Sequence, residues 1–315
     1  MTPLENAARA AQHAPSVFNT QPWSWRIIGD TMELRADSSR QLGTVDRDGR
    51  LLLLSCGTAL HHALVTLNAA GWSAEVDRQP DPARPDLVAR IKLGAPVRPD
   101  PRAVKMADAI RTRRTDRRAF GDRVVSADEL TRLRHAVEEE GAYLHVVRPD
   151  QVAELAVSAD RAGGAELDDP AYRAELHRWT NRPDFTGDGV PVATTVLPSL
   201  RRVPVRDFAP DQSAGLPSGS DHDAGAAYVV LFGDGDLLRG GEALSALLLL
   251  STADGLATEP ISDAVEVEWP RTLLRGLIAG IGDPYLVVRL GYRTDSEPLP
   301  PAPRRNPRDV ITIVE

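Results

Sequence analysis

Two short stretches carry the residue types best able to do chemistry. The first is Ala14-Pro15-Ser16-Val17-Phe18-Asn19-Thr20-Gln21-Pro22-Trp23. It offers the Ser16 hydroxyl and the Asn19 and Gln21 amides, all of which both donate and accept hydrogen bonds. Proline disfavours helical geometry in the residue before it, so Pro15 and Pro22 force the chain open here. The second stretch, Arg113-Arg114-Thr115-Asp116-Arg117, puts three guanidiniums and a hydroxyl within five residues. Forked donors of this kind suit a phosphate. Each stretch also has a plain structural reading. The first can be a connection whose Ser16 and Asn19 bond their own backbone. The second can be a solvated basic turn, or one paired with Asp108 and Asp122.

Written as patterns, the stretches are A-P-S-x-x-N-T-Q-P-W and R-R-[ST]-x-R. Together they resemble the two flavin-site signatures of the nitroreductase family. With the first pattern this near residue 1, in a chain of 315 residues, the match is to the family's Acg-type branch. The resemblance implies FMN as cofactor. Its phosphate would be met by Arg113, Arg114 and Arg117, with the Thr115 hydroxyl filling a remaining acceptor. Asn19 or Gln21 would meet the uracil-like ring edge, and Ser16 the ribityl chain or ring. In the family, the loop after the second apolar helix also lies along the flavin. Here that loop is Gly255 to Ser262, which adds Ile261 and Ser262, although the usual Glu-Gly pair is replaced by Ser262-Asp263. A basic tail residue also reaches the phosphate in the family, and Arg305 is the match.

The implied activity is that of an FMN-dependent oxidoreductase. NAD(P)H would reduce the flavin, and a small electron-poor acceptor such as a nitroaromatic or quinone would reoxidise it. The alternative is an FMN-binding protein that sequesters flavin with little turnover. No catalytic side chain is singled out, because flavin chemistry resides in the cofactor.

The surrounding elements must position these stretches. A short helix over 4–13 precedes the first, and strands at Trp23–Ile28 and Thr31–Ala36 follow it, joined by a Gly29-Asp30 turn. Residues 49–70 read as a central helix, apolar almost all round and stopped by Gly71. A strand over 86–93, helices over 101–112 and 126–140, and a strand over 142–148 come next. Ser126 and Glu129 form a capping-box pattern. Helices are expected at 150–163 and 170–180. From 181 to 223 the chain is rich in Pro, Gly and Ser without periodicity, which reads as a lid-like insert. A strand at 226–232, an apolar helix at 237–254, a helix at 269–281 and strands at 285–290 and 310–314 complete the chain.

Residues Cys56–Trp72 align without gaps on Gly240–Leu256 with six of 17 positions identical. Pro85-Asp86-Leu87-Val88-Ala89-Arg90 likewise resembles Pro284-Tyr285-Leu286-Val287-Val288-Arg289. The repeat points to two similar halves, an N-terminal one over 1–100 and a C-terminal one over 101–315. With the resemblance, it implies an α+β nitroreductase-like fold whose pseudo-symmetric halves mimic a dimer in one chain. A monomer with an internal pseudo-two-fold and a single flavin is expected, because each motif occurs once.

Composition narrows the field. Apolar content of 42% and charge of 26% are those of a globular protein. A net charge of −8 argues against general nucleic-acid binding. One cysteine, Cys56, excludes a disulfide framework within the chain and a cysteine zinc site. Adjacent His61 and His62 are expected to point apart on their helix, so no metal site is predicted. Gly233-Asp234-Gly235 lacks the third glycine of a dinucleotide loop and carries acids that would repel a pyrophosphate. No secretory pattern opens the chain, and apolar runs such as Ala246–Leu250 fall short of a membrane span, so the expectation is cytoplasmic.

Overall fold

The computed structural model describes residues 1–197, 199, 201–208, 210, 213–219, 222–295 and 297–314. Residues 198, 200, 209, 211, 212, 220 and 221 of the expected insert lie outside the described residues.

Helix α1 (Pro3–Ala11) opens on a reciprocal cap between Thr2 and Glu5. Strands β1 (Trp23–Ile28) and β2 (Thr31–Ala36) form an antiparallel hairpin. Helix α2 (Arg50–Ala69) ends before Gly71, whose φ of 77° stops it. Strands β3 (Trp72–Arg78) and β4 (Leu87–Pro96) follow, then α3 (Pro101–Ile110), capped by Asp100. Helix α4 (Ala127–Glu139) carries the expected Ser126–Glu129 box, and β5 (Tyr143–Val146) leads to α5 (Val152–Asp168) and α6 (Pro170–Thr180). Beyond the insert come β6 (Ala227–Gly233), α7 (Leu237–Ala253) and β7 (Ala257–Ile261). Short α8 (Asp263–Glu266), α9 (Glu268–Leu277), β8 (Asp283–Gly291), α10 (Pro307–Val310) and β9 (Ile311–Val314) close the chain.

Among the described residues the strands of this α+β fold form a mixed five-stranded sheet, ordered β3-β4-β2-β1-β9, and an antiparallel four-stranded sheet, ordered β7-β8-β6-β5. Apart from β9, the orders correspond strand for strand, and the corresponding pairs are all antiparallel. The C-terminal β9 adds in parallel to β1, so the tail completes the sheet built by the first hundred residues.

Two expectations need correction. The stretch Gly255–Ser262 is not a loop, because Ala257–Ile261 pairs with β8 as a strand. Its Pro260 and the acid before it weaken the strand signal, and the β8 ladder overrides it. Strand β3 was not foreseen either. It is a half-exposed edge strand that buries too little apolar surface to show a clear alternation.

Helices α2 and α7 cross between the sheets with almost no side chain separating them. A Cβ on Gly57 would stand 2.1 Å from the Leu238 carbonyl oxygen, and a Cβ on Gly241 2.1 Å from that of Leu54. Gly57 and Leu54 align on Gly241 and Leu238 in the internal repeat, so the contact is reciprocal. It also overturns the expectation for the two histidines. Ser245 on α7 comes so close that its Oγ meets both His61 Nδ1 at 2.8 Å and His62 Nδ1 at 2.9 Å. The loop before α7 is used as a cap, with Asp236 accepting from the Arg239 N–H. Helix α2 is long and apolar enough by composition to cross a membrane, contrary to the expectation for apolar runs. Its most apolar window is 78% buried inside this fold, as befits a core helix.

Replacing Gly241 by Ala should destabilise the protein by about 1–3 kcal/mol, because backbone must shift to admit the methyl group. Gly163→Ala, where a Cβ meets nothing within 4 Å, should be neutral or slightly stabilising. Urea unfolding of the two variants compares them directly, and equal midpoints would mean that α2 and α7 are not in close contact.

Candidate functional site

The loop after α1 is held in a conformation that its residues would not choose. Phe18, Asn19 and Gln21 have φ of 46°, 53° and 49°, in the left-handed region that costs non-glycine residues about 1–3 kcal/mol each. Side-chain bonds hold it there. Ser16 Oγ accepts from the Gln21 N–H at 2.9 Å, and Ser55 Oγ accepts from the Val17 N–H at 3.2 Å. Gln21 Nε2 donates to the Gly187 carbonyl at 2.8 Å, while its Oε1 accepts from the Arg305 N–H at 3.0 Å. Asn19 Nδ2 donates to the carbonyls of Gly189 and Pro303 at 3.0 and 3.1 Å. The insert and the C-terminal tail thus fix the loop between them.

Beside this loop three arginines converge without a counter-charge. Arg113 follows α3, is 5% exposed, and has Nε and Nη1 without hydrogen-bond partners. Arg114 Nε and Arg304 Nε are likewise buried and unpartnered. Among the described residues none of the three forms an ion pair. Arg304 is aimed by Asn19 Oδ1 at 2.8 Å and by the His13 carbonyl at 2.9 Å. Burial, and then the neighbouring Arg114, push Arg113 down to about 10. Burial, followed by Arg113 and Arg114, pushes Arg304 down to about 9. Partial burial, and then the charges of Arg304, Arg111, Arg114 and Arg113, lower His13 to about 4, so it is neutral at pH 7. Uncompensated buried guanidiniums are costly, and an anion placed among them would relieve both desolvation and mutual repulsion.

A second, apolar hollow opens from the first, and both are lined by Ser16, Phe18, Thr115 and Arg117. Leu51, Leu54, Leu244 and Leu286 give it apolar walls, with hydroxyls from Ser55, Thr58 and Ser262. Arg117 donates to the Thr194 carbonyl at 3.2 Å and lies 4.5 Å over the Phe208 ring. The pair of hollows therefore suits a ligand with an anionic tail and a flat, largely apolar body.

The residues named from the sequence divide accordingly. Ser16, Thr115 and Arg117 line both hollows, Asn19, Arg113 and Arg114 the cationic one, and Ser262 the apolar one. Gln21 is 1% exposed and is committed to the tail and insert. Ile261 closes β7 in the second sheet and packs in the hydrophobic core. Arg305 lies outside both hollows, its Nη1 on the Gln21 and Trp23 carbonyls at 3.1 and 3.3 Å. The tail residue aimed among the arginines is Arg304. Sequence reasoning missed it, together with His13 and Phe208, since only the path of the returning tail distinguishes Arg304 from Arg305.

Gly189, Val190, Pro191 and Thr194 of the 181–223 segment line the first hollow and Phe208 the second, and the described residues of this segment are pinned by buried charge. Arg40 and Arg182 hold Asp188, and Arg289 holds Asp223 at 2.6 Å. Arg206 pairs with Glu266 at 2.7 Å and Glu166 at 3.4 Å, and its guanidinium lies 5.1 and 5.6 Å from the Phe18 and Phe208 rings. Phe208 meets Phe18 edge-on at 5.5 Å.

On the structure alone, this is an α+β protein with an arginine-lined hollow opening onto an apolar slot. No family model matches the chain. Full-length relatives do. A Mycobacterium tuberculosis H37Rv protein provisionally named NAD(P)H nitroreductase Rv3131 is 38% identical over 96% of this chain and 88% of its own. The Acg protein of the same strain, also provisionally named an NAD(P)H nitroreductase, is 34% identical over 98% and 94%. The chain belongs to the nitroreductase family that these proteins represent. Among solved structures, a nitroreductase with bound FMN from Bacteroides fragilis NCTC 9343 overlaps 67% of this chain and 98% of its own, at 18% identity and a TM-score of 0.40. Membership rests on the mycobacterial relatives, since an overlap that loose cannot carry it.

Glu166 gives the buried charges a pH signature. Burial raises its carboxyl to about 9, against the lowering pull of Arg206 and with Glu266 raising it further. Above about pH 4.3 the unfolded chain releases this proton while the folded protein keeps it. Stability from this group is therefore complete below that pH and is lost as pH rises towards 9. Glu166→Gln should flatten the fall in urea-unfolding stability between about pH 5 and 9. An unchanged slope in the variant would show that Glu166 is ionised in the folded protein.

Proposed function

We propose that the protein is an FMN-dependent oxidoreductase of nitroreductase type, taking electrons from NAD(P)H and passing them to an electron-poor acceptor such as a nitroaromatic or quinone. The observation that carries this reading is the unpaired trio Arg113, Arg114 and Arg304 beside an apolar slot. A phosphate monoester supplies the missing charge, and its acceptor oxygens match the free guanidinium N–H groups. The chemistry supplied by bound FMN is two-electron transfer between nicotinamide and acceptor. The chain's own part is positional. The arginines bind the phosphate, Asn19 aims Arg304, and Ser16, Thr115 and Arg117 sit where the two hollows meet. Leu51, Leu54 and Leu244 give the ring an apolar seat, and Phe208 covers it from the insert.

The same reading takes the two halves, 1–100 and 101–315, as a dimer-like pair within one chain that binds a single FMN and needs no partner subunit. Matching strand orders and the reciprocal Gly57–Gly241 contact support it. The second, equivalent position is filled. Asp77 opposite Arg90 corresponds to Glu259 opposite Arg289, so Arg78 stands at the place of Pro260. Glu242 aligns with Thr58 in the repeat. Where Pro260 and Thr58 line the slot, Arg78 and Glu242 close a two-pronged ion pair at 2.8 and 2.6 Å.

Charge-assisted bonds are worth about 1.5–3 kcal/mol each, so Arg304→Ala should weaken FMN binding about tenfold or more. Riboflavin, which lacks the phosphate, should bind the variant and the parent alike. Fluorescence titration of both ligands decides it, with one FMN per chain at saturation. Equal losses for both would place the phosphate elsewhere.

A second reading, flavin storage with little turnover, is favoured by the cover itself, since Phe208 and Thr194 of the insert both contact Arg117. A hydride donor must approach to about 3–3.5 Å, so a cover over the exposed ring face would slow it. Phe208→Ala should then speed flavin bleaching by NAD(P)H in stopped-flow. Bleaching that is fast in the parent and unchanged in the variant would favour the plain reductase.

A further inference from the structure

His13 stands in the turn that follows α1 and forms part of the wall of the arginine-lined hollow. Its backbone is fixed on both sides. The N–H donates to the Ala10 carbonyl at 3.0 Å, and the carbonyl accepts from Arg304 Nη2 at 2.9 Å. The partly buried imidazole is thereby held beside the guanidiniums that lack a counter-charge. Among the described residues the ring itself has neither an ion pair nor a hydrogen bond. It is the one titratable side chain on this wall that is not an arginine.

The charges that act on the ring most strongly are all positive. Arg304 comes from the C-terminal tail, and Arg111, Arg114 and Arg113 follow the last turn of α3. Helix α2, which packs against α1, brings His62, which is buried, subject to the same Arg113 and Arg304, and neutral. Among the described residues no carboxylate lines the hollow. Facing those guanidiniums alone, His13 stays neutral at pH 6 and above. A phosphate dianion reverses that field, because an opposite charge within about 4–6 Å favours the charged form of a neighbouring group. It lifts His13 back towards the ordinary histidine range. Once charged, both ring nitrogens are donors.

The hollow has a volume of about 160 Å³, so a phosphate within it lies close to every wall. A phosphate monoester presents three strong acceptor oxygens, and the imidazole has no competing partner in the protein. We propose that His13 is a further ligand of the phosphate, taking up a proton from solvent as the dianion enters and donating a hydrogen bond to one of its oxygens. The proposal rests on the reading of this hollow as the phosphate site of FMN. His13 then adds to FMN affinity near pH 6 and contributes little by pH 8, where its ring is neutral with or without the ligand. Riboflavin carries no phosphate and draws no proton to His13.

The test is isothermal titration calorimetry of FMN and of riboflavin into the flavin-free full chain. At pH 6, titrations in two buffers of different ionisation enthalpy count the protons exchanged on binding. The phosphate of free FMN also titrates near pH 6, so the parent is compared with His13→Gln, in which that contribution is the same. Glutamine keeps an N–H donor but cannot take a proton, and thermal melting checks that the variant is folded. With FMN the parent should take up more protons than the variant, by a fraction of one up to one per chain. The variant should bind FMN about two- to tenfold more weakly at pH 6 and nearly equally at pH 8. His13→Arg, charged at both pH values, should restore affinity without the extra proton uptake. Riboflavin should show no difference between the proteins. Equal proton uptake by the parent and His13→Gln, with FMN still bound, would overturn the role of His13 and leave the phosphate site standing. An affinity loss that is the same at pH 6 and pH 8, or the same for riboflavin, would also overturn it. Failure of the parent to prefer FMN over riboflavin would remove the phosphate reading, and this proposal with it.

Discussion

Everything else in the structure depends on two glycines that let α2 and α7 touch backbone to backbone. With Gly57 against Leu238 and Gly241 against Leu54, there is no room for a side chain at the crossing. The outward face of α2 then packs on the first sheet through Leu52, Cys56, Leu60 and Leu67. Leu244, Leu247 and Leu248 of α7 pack among the residues of the second. Two sheets are thereby held on one pair of helices. The first half of α2 and the middle of α7 place Leu51, Leu54, Thr58 and Leu244 along the walls of the apolar slot.

The candidate site is a place where stability has been spent rather than gained. Three guanidiniums lie together without an acid, and beside them three non-glycine residues hold left-handed backbone. The sites that hold this arrangement together are distant in sequence. Asn19 reaches both Gly189 in the insert and Pro303 in the tail. The insert in turn is tied to the body by Asp188, Arg206 and Asp223, each in a buried ion pair. Breaking one member of such a pair costs far more than the pair contributes, since it strands the other charge. These ties therefore specify where the insert lies more than they add to net stability.

The two sheets, whose strand orders correspond, differ at their edge strands β3 and β7. Strand order and the helix crossing are shared, because both follow from burying the same apolar faces. Beside edge strand β7 Pro260 lines the slot together with Thr58 of α2, whereas at the corresponding edge strand β3 Arg78 closes onto Glu242 of α7. A bidentate ion pair fills space and satisfies its own charges, so that position has no unpaired group left to offer a ligand.

Local signals in the sequence determined most of the elements. The Ser126–Glu129 cap, the apolar run of α2, the repeated helix and the two prolines around the Ser16 loop each depend on neighbours within a few residues, and each is legible for that reason. The arginine motif was legible too, as three guanidiniums and a hydroxyl within five residues. Only the tertiary structure decided the rest. Strand β7 exists because β8 offers it a ladder, and β3 because β4 does; neither carries enough alternation alone. Which tail arginine faces the cationic hollow was set by Asn19 and the His13 carbonyl, about 290 positions from Arg304 in the chain. His61 and His62 share one hydroxyl because α7 brings Ser245 between them. Contacts of that range are fixed by packing and by the satisfaction of buried polar groups, and no local pattern encodes them.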